Sequence, residues 1–198
     1  MAGADYYDRE APVYDESRGG SARALAAADA VTRIVPAGGL LVDVAGGTGI
    51  VSAALAAAGF DVVVADVSTG MLRLAADRLP GRVLAAAADR LPLRDGSVDV
   101  VTIVWLLHML PTEVADAALA EAARVLRPGG HLVTTVDKEQ AHGHVGAEAD
   151  DAGRVRHAAS RFGLEHAAAT TFSGPSTHGS ATGADPVFPL VALRRDVP

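Results

Sequence analysis

The sequence predicts a doubly wound α/β domain. Its expected sheet is mostly parallel and seven-stranded, with helices on both faces and an antiparallel strand near the C-terminus. Three observations predict this. Short apolar runs bounded by turn residues alternate with Ala/Leu-rich segments of helical length, the pattern of a parallel sheet covered on both faces. Three glycines within four positions, Gly46, Gly47 and Gly49, join the first apolar run to the segment that follows. The last two apolar runs succeed one another with only a polar turn between them, as in a hairpin at a sheet edge.

Residues 1–20 form an N-terminal arm that is polar and acidic, yet it holds every tyrosine of the chain, Tyr6, Tyr7 and Tyr14. Aromatics on a loose tail would be wasted, so the arm is expected to close over a ligand. "SARALAAADAVTRIV" reads as a helix opened by Ser21 and stopped by "PAGG" at 36–39. Strands follow at 40–45, 61–66, 82–86, 98–105 and 130–136, with helices at 48–58, 69–79 and 112–125. "DDAGRVRHAASRF" predicts a further helix, and "GLEHAAATTF" and "VFPLVALRR" are the hairpin strands around the polar turn "SGPSTHGSATGADP". No repeat or linker divides the chain, which predicts one domain over 1–198.

With 198 residues, 49% hydrophobic and 21% charged, the chain can bury a substantial core. No window reaches eighteen apolar residues and the start lacks a signal-peptide core, so a cytoplasmic location away from membranes is expected. Cysteine is absent, which removes thiolate metal sites and cysteine nucleophiles. Net charge is -7, and Lys138 is the sole lysine among seventeen basic residues. Nucleic acid draws affinity from neutralised phosphates, so that balance points to a small-molecule partner instead.

In doubly wound sheets a glycine turn after the first strand lets a ligand approach the backbone, and an acid about twenty residues on bonds ribose hydroxyls. Asp66 stands twenty residues after Gly46, at the end of the second strand, so the spacing fits a nucleoside. A phosphate fits less well: a Walker loop needs a Lys-Ser/Thr pair after its glycines, and here Gly49 is followed by Ile50, Val51 and Ser52. A nicotinamide-dependent reductase is disfavoured as well, because Lys138 has no tyrosine four positions before it and Ser52 occupies the third-glycine position of the dinucleotide turn.

The segments "LLVDVAGGTG", "VVVADVSTGMLRLA", "DRLPLRDGSVDVVTIVWLLHMLP" and "ARVLRPGGHLVTTV" occur in the order of four motif blocks. In them the chain resembles the class I S-adenosylmethionine-dependent methyltransferases, in particular the small-molecule type related to the ubiquinone/menaquinone methyltransferases. The resemblance implies S-adenosylmethionine as cofactor, with Asp43, Ala45, Gly46, Gly47, Gly49, Asp66, Val67, Met71, Ala88, Asp89 and Val104 around it, Asp66 on the ribose and Met71 beside the adenine. The physics agrees: this cofactor carries a nucleoside without phosphate and a positive sulfonium, which carboxylates suit and a lysine would oppose.

Two positions depart from the family pattern. Ala45 replaces its first glycine, which is tolerable if φ there is negative. Ala87 replaces its adenine-contacting acid, so either Asp89 reaches the adenine from a shifted loop or the backbone around Ala88 holds the ring. A methyltransferase fold that binds the cofactor without transferring methyl, as a cyclase or binding module, is the alternative function.

His108, after the fourth strand, is the candidate base, with packing in an apolar loop as its other reading. Tyr14, Trp105 and His142 are the candidate acceptor contacts. The His142 to Asp151 segment fits no standard zinc spacing, and no metal is expected. Only a short connection follows the fifth strand, which leaves the acceptor site open or completed by the second subunit of a homodimer.

Overall fold

The computed structural model describes residues 4–141, 146–175 and 185–197. The arm forms α1 (Ala4–Glu10), a 3-10 turn (Ala11–Val13) and α2 (Tyr14–Ser17), and leads into α3 (Gly20–Ile34). Then follow β1 (Leu40–Val44), α4 (Ile50–Ala57), β2 (Asp61–Asp66), α5 (Thr69–Arg78), β3 (Val83–Ala85) and β4 (Val98–Ile103). After a 3-10 turn at Leu107–Met109 come α6 (Thr112–Val125), β5 (Leu126–Thr135) and α7 (Lys138–Ala141). A 3-10 turn at Glu148–Asp150 precedes α8 (Ala152–Ser160), β6 (Leu164–Ser173) and β7 (Val187–Arg195).

The strands form one seven-stranded sheet in the order β3-β2-β1-β4-β5-β7-β6. β7 alone runs antiparallel, inserted between β5 and β6. The reversal of strand order beside β1 opens a crevice at the carboxyl ends of the parallel strands, where doubly wound sheets bind ligands.

Side chains alternate across the sheet as the pleat requires. Val42 and Val44 of β1 pack with Val101 and Ile103 of β4 against Leu119 and Ala122 of α6 and Val155 of α8. Leu41 and Val100 face the opposite side, against Ala27 and Val31 of α3 and Leu55 of α4. α6 buries Ala115, Ala118, Leu119 and Ala122, a stripe at helical spacing. The parity that turns Leu41 towards α3 and α4 also turns Asp43 that way, which brings it to Ser52 of α4.

Three expectations shift. α3 is opened by Gly19, at φ +89° with no side-chain cap, and not by Ser21. The chain turns so sharply there that a Cβ on Gly19 would stand 2.3 Å from the Pro175 carbonyl oxygen. β4 stops at Ile103 because Trp105 adopts φ +59°, which no strand accommodates. β5 begins at Leu126 rather than 130: Leu126 pairs with Val98, and the register then shifts before His131 pairs with Val100. The polar turn between the hairpin strands lies mostly outside the described residues. Among the described residues no helix is long and apolar enough to cross a membrane.

Candidate functional site

A cleft of about 310 Å³ opens at the carboxyl ends of β1, β2 and β4. Of the predicted cofactor residues, Asp43, Ala45, Gly46, Gly47, Asp66, Val67, Met71, Ala88, Asp89 and Val104 all line it. So do two of the predicted acceptor residues, Tyr14 and Trp105.

Gly49 does not line it; this glycine, at φ +73°, opens α4 and lies against Ala75. His108 is also absent from the lining, although Leu106 and Met109 on either side of it are present. His142 lies outside the described residues. Among the described residues no group of three or more ligating side chains could hold a metal ion.

The two acids of the opening motif divide their work. Asp43 is 2% exposed, and its carboxylate accepts from Ser52 Oγ at 2.5 Å and from Thr102 Oγ1 at 2.7 Å. Burial pushes its pKa up from the ordinary carboxylate value, against the pull of those hydroxyls. A Cβ on Gly46 would stand 2.9 Å from Asp43 Oδ2 and from Val64 Cγ1, so glycine alone lets the turn close over this acid.

Asp66, 8% exposed, accepts from the Gly47 amide at 2.9 Å and the Ser68 amide at 2.8 Å. Its pKa is raised by burial and restrained by those amides. The carboxylate therefore ties the glycine turn to the start of α5 and retains lone pairs for a ligand hydroxyl.

Ala45 has φ +55°, not the negative φ that would make alanine comfortable there. Left-handed backbone costs an L-residue about 1 kcal/mol or more relative to glycine. Ala45→Gly is expected to stabilise the protein by about 1 kcal/mol, raising Tm by roughly 2–4 °C in a chain of this size. A calorimetric scan with unchanged or lower Tm would show that the turn carries no such strain.

Ala87 and Asp89 both line the cleft at the β3 exit, where Ala87 bridges to Arg90. Asp89 is exposed and makes no hydrogen bond or ion pair among the described residues. Ala88 and Asp89, the two residues read from the sequence for holding an adenine, thus both line the cleft.

The arm lies across the opening. Ala4, Tyr7 and Tyr14 line it, whereas Tyr6 is exposed and packs edge-on against Tyr7. Burial raises the pKa of Tyr7 and Tyr14, so both phenols stay protonated at neutral pH and act as donors. Two acids that sequence reasoning passed over fasten the arm. Asp8 accepts from Ser68 Oγ at 2.6 Å and the Gly70 amide at 2.8 Å. Asp15 accepts from Thr48 Oγ1 at 2.6 Å and pairs with Arg78 at 2.5 Å.

Among the described residues that line the cleft there is no lysine, arginine or histidine. Apart from its acids, tyrosines and Thr48 the lining is apolar, including Ile50, Val51, Leu106, Met109, Leu110 and Val114. An apolar cleft with carboxylates at one end and a glycine turn for close approach fits a cationic nucleoside and repels a diphosphate.

Residues 42–134 match a family model described as a methyltransferase domain. In its motif blocks, this match and its sheet topology, the chain is similar to class I S-adenosylmethionine-dependent methyltransferase domains. Among similar proteins, the demethylmenaquinone methyltransferase of Beutenbergia cavernae is 48% identical over 94 residues, covering 47% of this chain and 38% of that relative. The match thus spans about two fifths of that curated relative's length.

A crystal structure of a SAM-dependent methyltransferase from Thermotoga maritima, described as a possible histamine N-methyltransferase, shares the fold with a TM-score of 0.70. It is 21% identical, over 96% of this chain and 98% of that one. The cyclase SpnF shares it with a TM-score of 0.75 at 22% identity, over 98% of this chain and 95% of that one.

Proposed function

We propose that the protein transfers the methyl group of S-adenosylmethionine to an oxygen, carbon or amine of a small-molecule acceptor, a quinone-like ring compound among the candidates. The observation that carries this reading is the cleft itself, with Asp66 in its wall, a backbone turn open to close approach and no cationic side chain among its described lining residues. When bound, the cofactor supplies an electrophilic methyl group on a positive sulfur.

The chain's own residues bind and orient. Asp66 accepts from ribose hydroxyls, and Gly46 and Gly47 admit the methionyl part. Asp43 holds the turn in place from beneath, through Ser52 and Thr102. Val67 and Met71 border the base, with Asp89 or the Ala88 backbone at its edge. The arm, fastened by Asp8 and Asp15, covers the site and excludes water.

Displacement at such a methyl needs the acceptor atom held in line more than it needs a base, so orientation can supply most of the acceleration. Where an acceptor must lose a proton, His108, on the turn between Leu106 and Met109, is the proposed base. Trp105, Tyr14 and His142 are assigned to the acceptor side, and a homodimer is the proposed assembly.

Calorimetry with S-adenosylmethionine, S-adenosylhomocysteine and NAD tests the reading. Micromolar binding of the first two and none of NAD is expected, and binding of NAD alone would overturn it. Tight cofactor binding with no methyl transfer to any of a panel of quinols, phenols and amines would favour the binding-module alternative instead.

A further inference from the structure

Arg23, in the first half of α3, is a buried cation with no salt bridge among the described residues. It is 7% exposed, and its guanidinium carbon lies 4.2 Å from the centre of the Trp105 ring and 4.5 Å from that of Phe188. Phe172 completes the group, 5.6 Å from Trp105 and 5.3 Å from Phe188. One nitrogen donates to the Arg18 carbonyl at 3.2 Å, while Nε has no acceptor. The backbone is fitted to this side chain, since a Cβ on Gly174 would stand 2.9 Å from Arg23 Cγ.

Burial lowers the pKa of Arg23 to about 10, so it remains charged at neutral pH. A buried charge without a counter-ion is costly, and an apolar side chain could fill the same slot without that penalty. What the guanidinium gains here is the negative face of aromatic rings.

Trp105 needs such a partner. It follows β4 at φ +59°, and its amide donates to Thr135 Oγ1 at 2.8 Å. The indole Nε1 is buried with no acceptor, so no hydrogen bond of its own orients the ring. Trp105 lines the cleft. Arg18, whose carbonyl Arg23 also holds, closes α2 at the end of the arm, and the arm's Tyr7 and Tyr14 line the same cleft.

We propose that Arg23 is a positioning residue: it clamps the Trp105 indole as a fixed wall of the cleft and joins the end of the arm to that wall, acting on ligand affinity without touching the ligand. This rests on the reading of the cleft as a cofactor site. Trp105 is the only tryptophan of the chain, so its emission reports the clamp directly.

The full chain and its Arg23→Met and Arg23→Lys variants are compared by tryptophan emission, by acrylamide quenching and by calorimetric titration with S-adenosylhomocysteine. In Arg23→Met the emission is expected to move and quenching to rise, while affinity falls about five- to thirtyfold. Arg23→Lys keeps the charge but loses the planar fork, so it should recover only part of the affinity. If Arg23→Met fails to fold, Arg23→Lys carries the test with smaller changes in the same directions.

A folded variant with unchanged emission overturns the clamp, and one whose emission moves while affinity holds overturns the positioning role. If the unmutated chain binds no S-adenosylhomocysteine, the functional reading falls and takes the positioning role with it, whereas the emission comparison still decides whether Arg23 orients the ring.

Discussion

Asp66→Ala is expected to weaken S-adenosylhomocysteine binding about ten- to a hundredfold, the loss of a charge-assisted hydrogen bond of ~1.5–3 kcal/mol. Two effects add. The ribose loses its acceptor, and the Gly47 and Ser68 amides lose theirs, so the turn and the start of α5 are no longer held together.

The pH dependence identifies the group. Burial raises the Asp66 pKa above the ordinary 3.8, so affinity should fall as pH drops through that raised value, where the carboxylate takes a proton and becomes a poorer acceptor. The free protein responds with the opposite sign. A carboxyl whose folded pKa exceeds its unfolded one contributes stability below the unfolded value and loses it as pH rises through the folded one. Asp66→Ala should show neither trend from this site. Titrations across mildly acidic to neutral pH decide the matter, and equal affinity in variant and parent would remove Asp66 from the ribose.

The central strands β1, β2 and β4 were legible in the sequence because they are largely buried on both faces and therefore read as nearly unbroken apolar runs. β2 was predicted at its observed bounds for that reason. The ends of β4 and β5 were less legible, because each depends on a backbone event. A left-handed Trp105 ends one, and a register shift before His131 lengthens the other, and neither changes the residue pattern.

Within the site, the residues spaced along β1 and β2 were readable because one strand and one turn fix their separation. Ser52 was read only as a glycine that had failed to appear. It is the buried hydroxyl that Asp43 requires, and the signal was a lone polar residue facing a strand-end acid from an Ala/Val helix. Asp8, Asp15 and Arg23 had no such signal, since their partners lie 33 or more residues away for the acids and 82 or more for the aromatic rings around the arginine. Contacts of that range arise from folding, so the arm could be read for its tyrosines and not for its fastenings.

The same reasoning makes Asp43→Ala the substitution with the largest expected effect on the fold. Removing the carboxylate leaves the Ser52 and Thr102 hydroxyls without an acceptor in a site closed to water, and opens a void beneath Gly46. The expected loss is about 2–4 kcal/mol, or roughly 5–15 °C in Tm, from unsatisfied buried groups and lost packing.

The three side chains act as one unit, so their effects should not add. Ser52→Ala alone is expected to destabilise by about 1–3 kcal/mol, since it deprives a buried carboxylate of a donor. In the Asp43→Ala background the same change should cost little, because the hydroxyl it removes has already lost its acceptor. Asp43→Asn keeps the shape and one acceptor, and the hydroxyls can rotate to meet its amide, so it should melt between parent and Asp43→Ala. Fully additive losses in the double variant would mean that Asp43 and Ser52 stabilise the turn independently. An Asp43→Ala variant melting within a degree of the parent would show that the acid does not hold the turn at all.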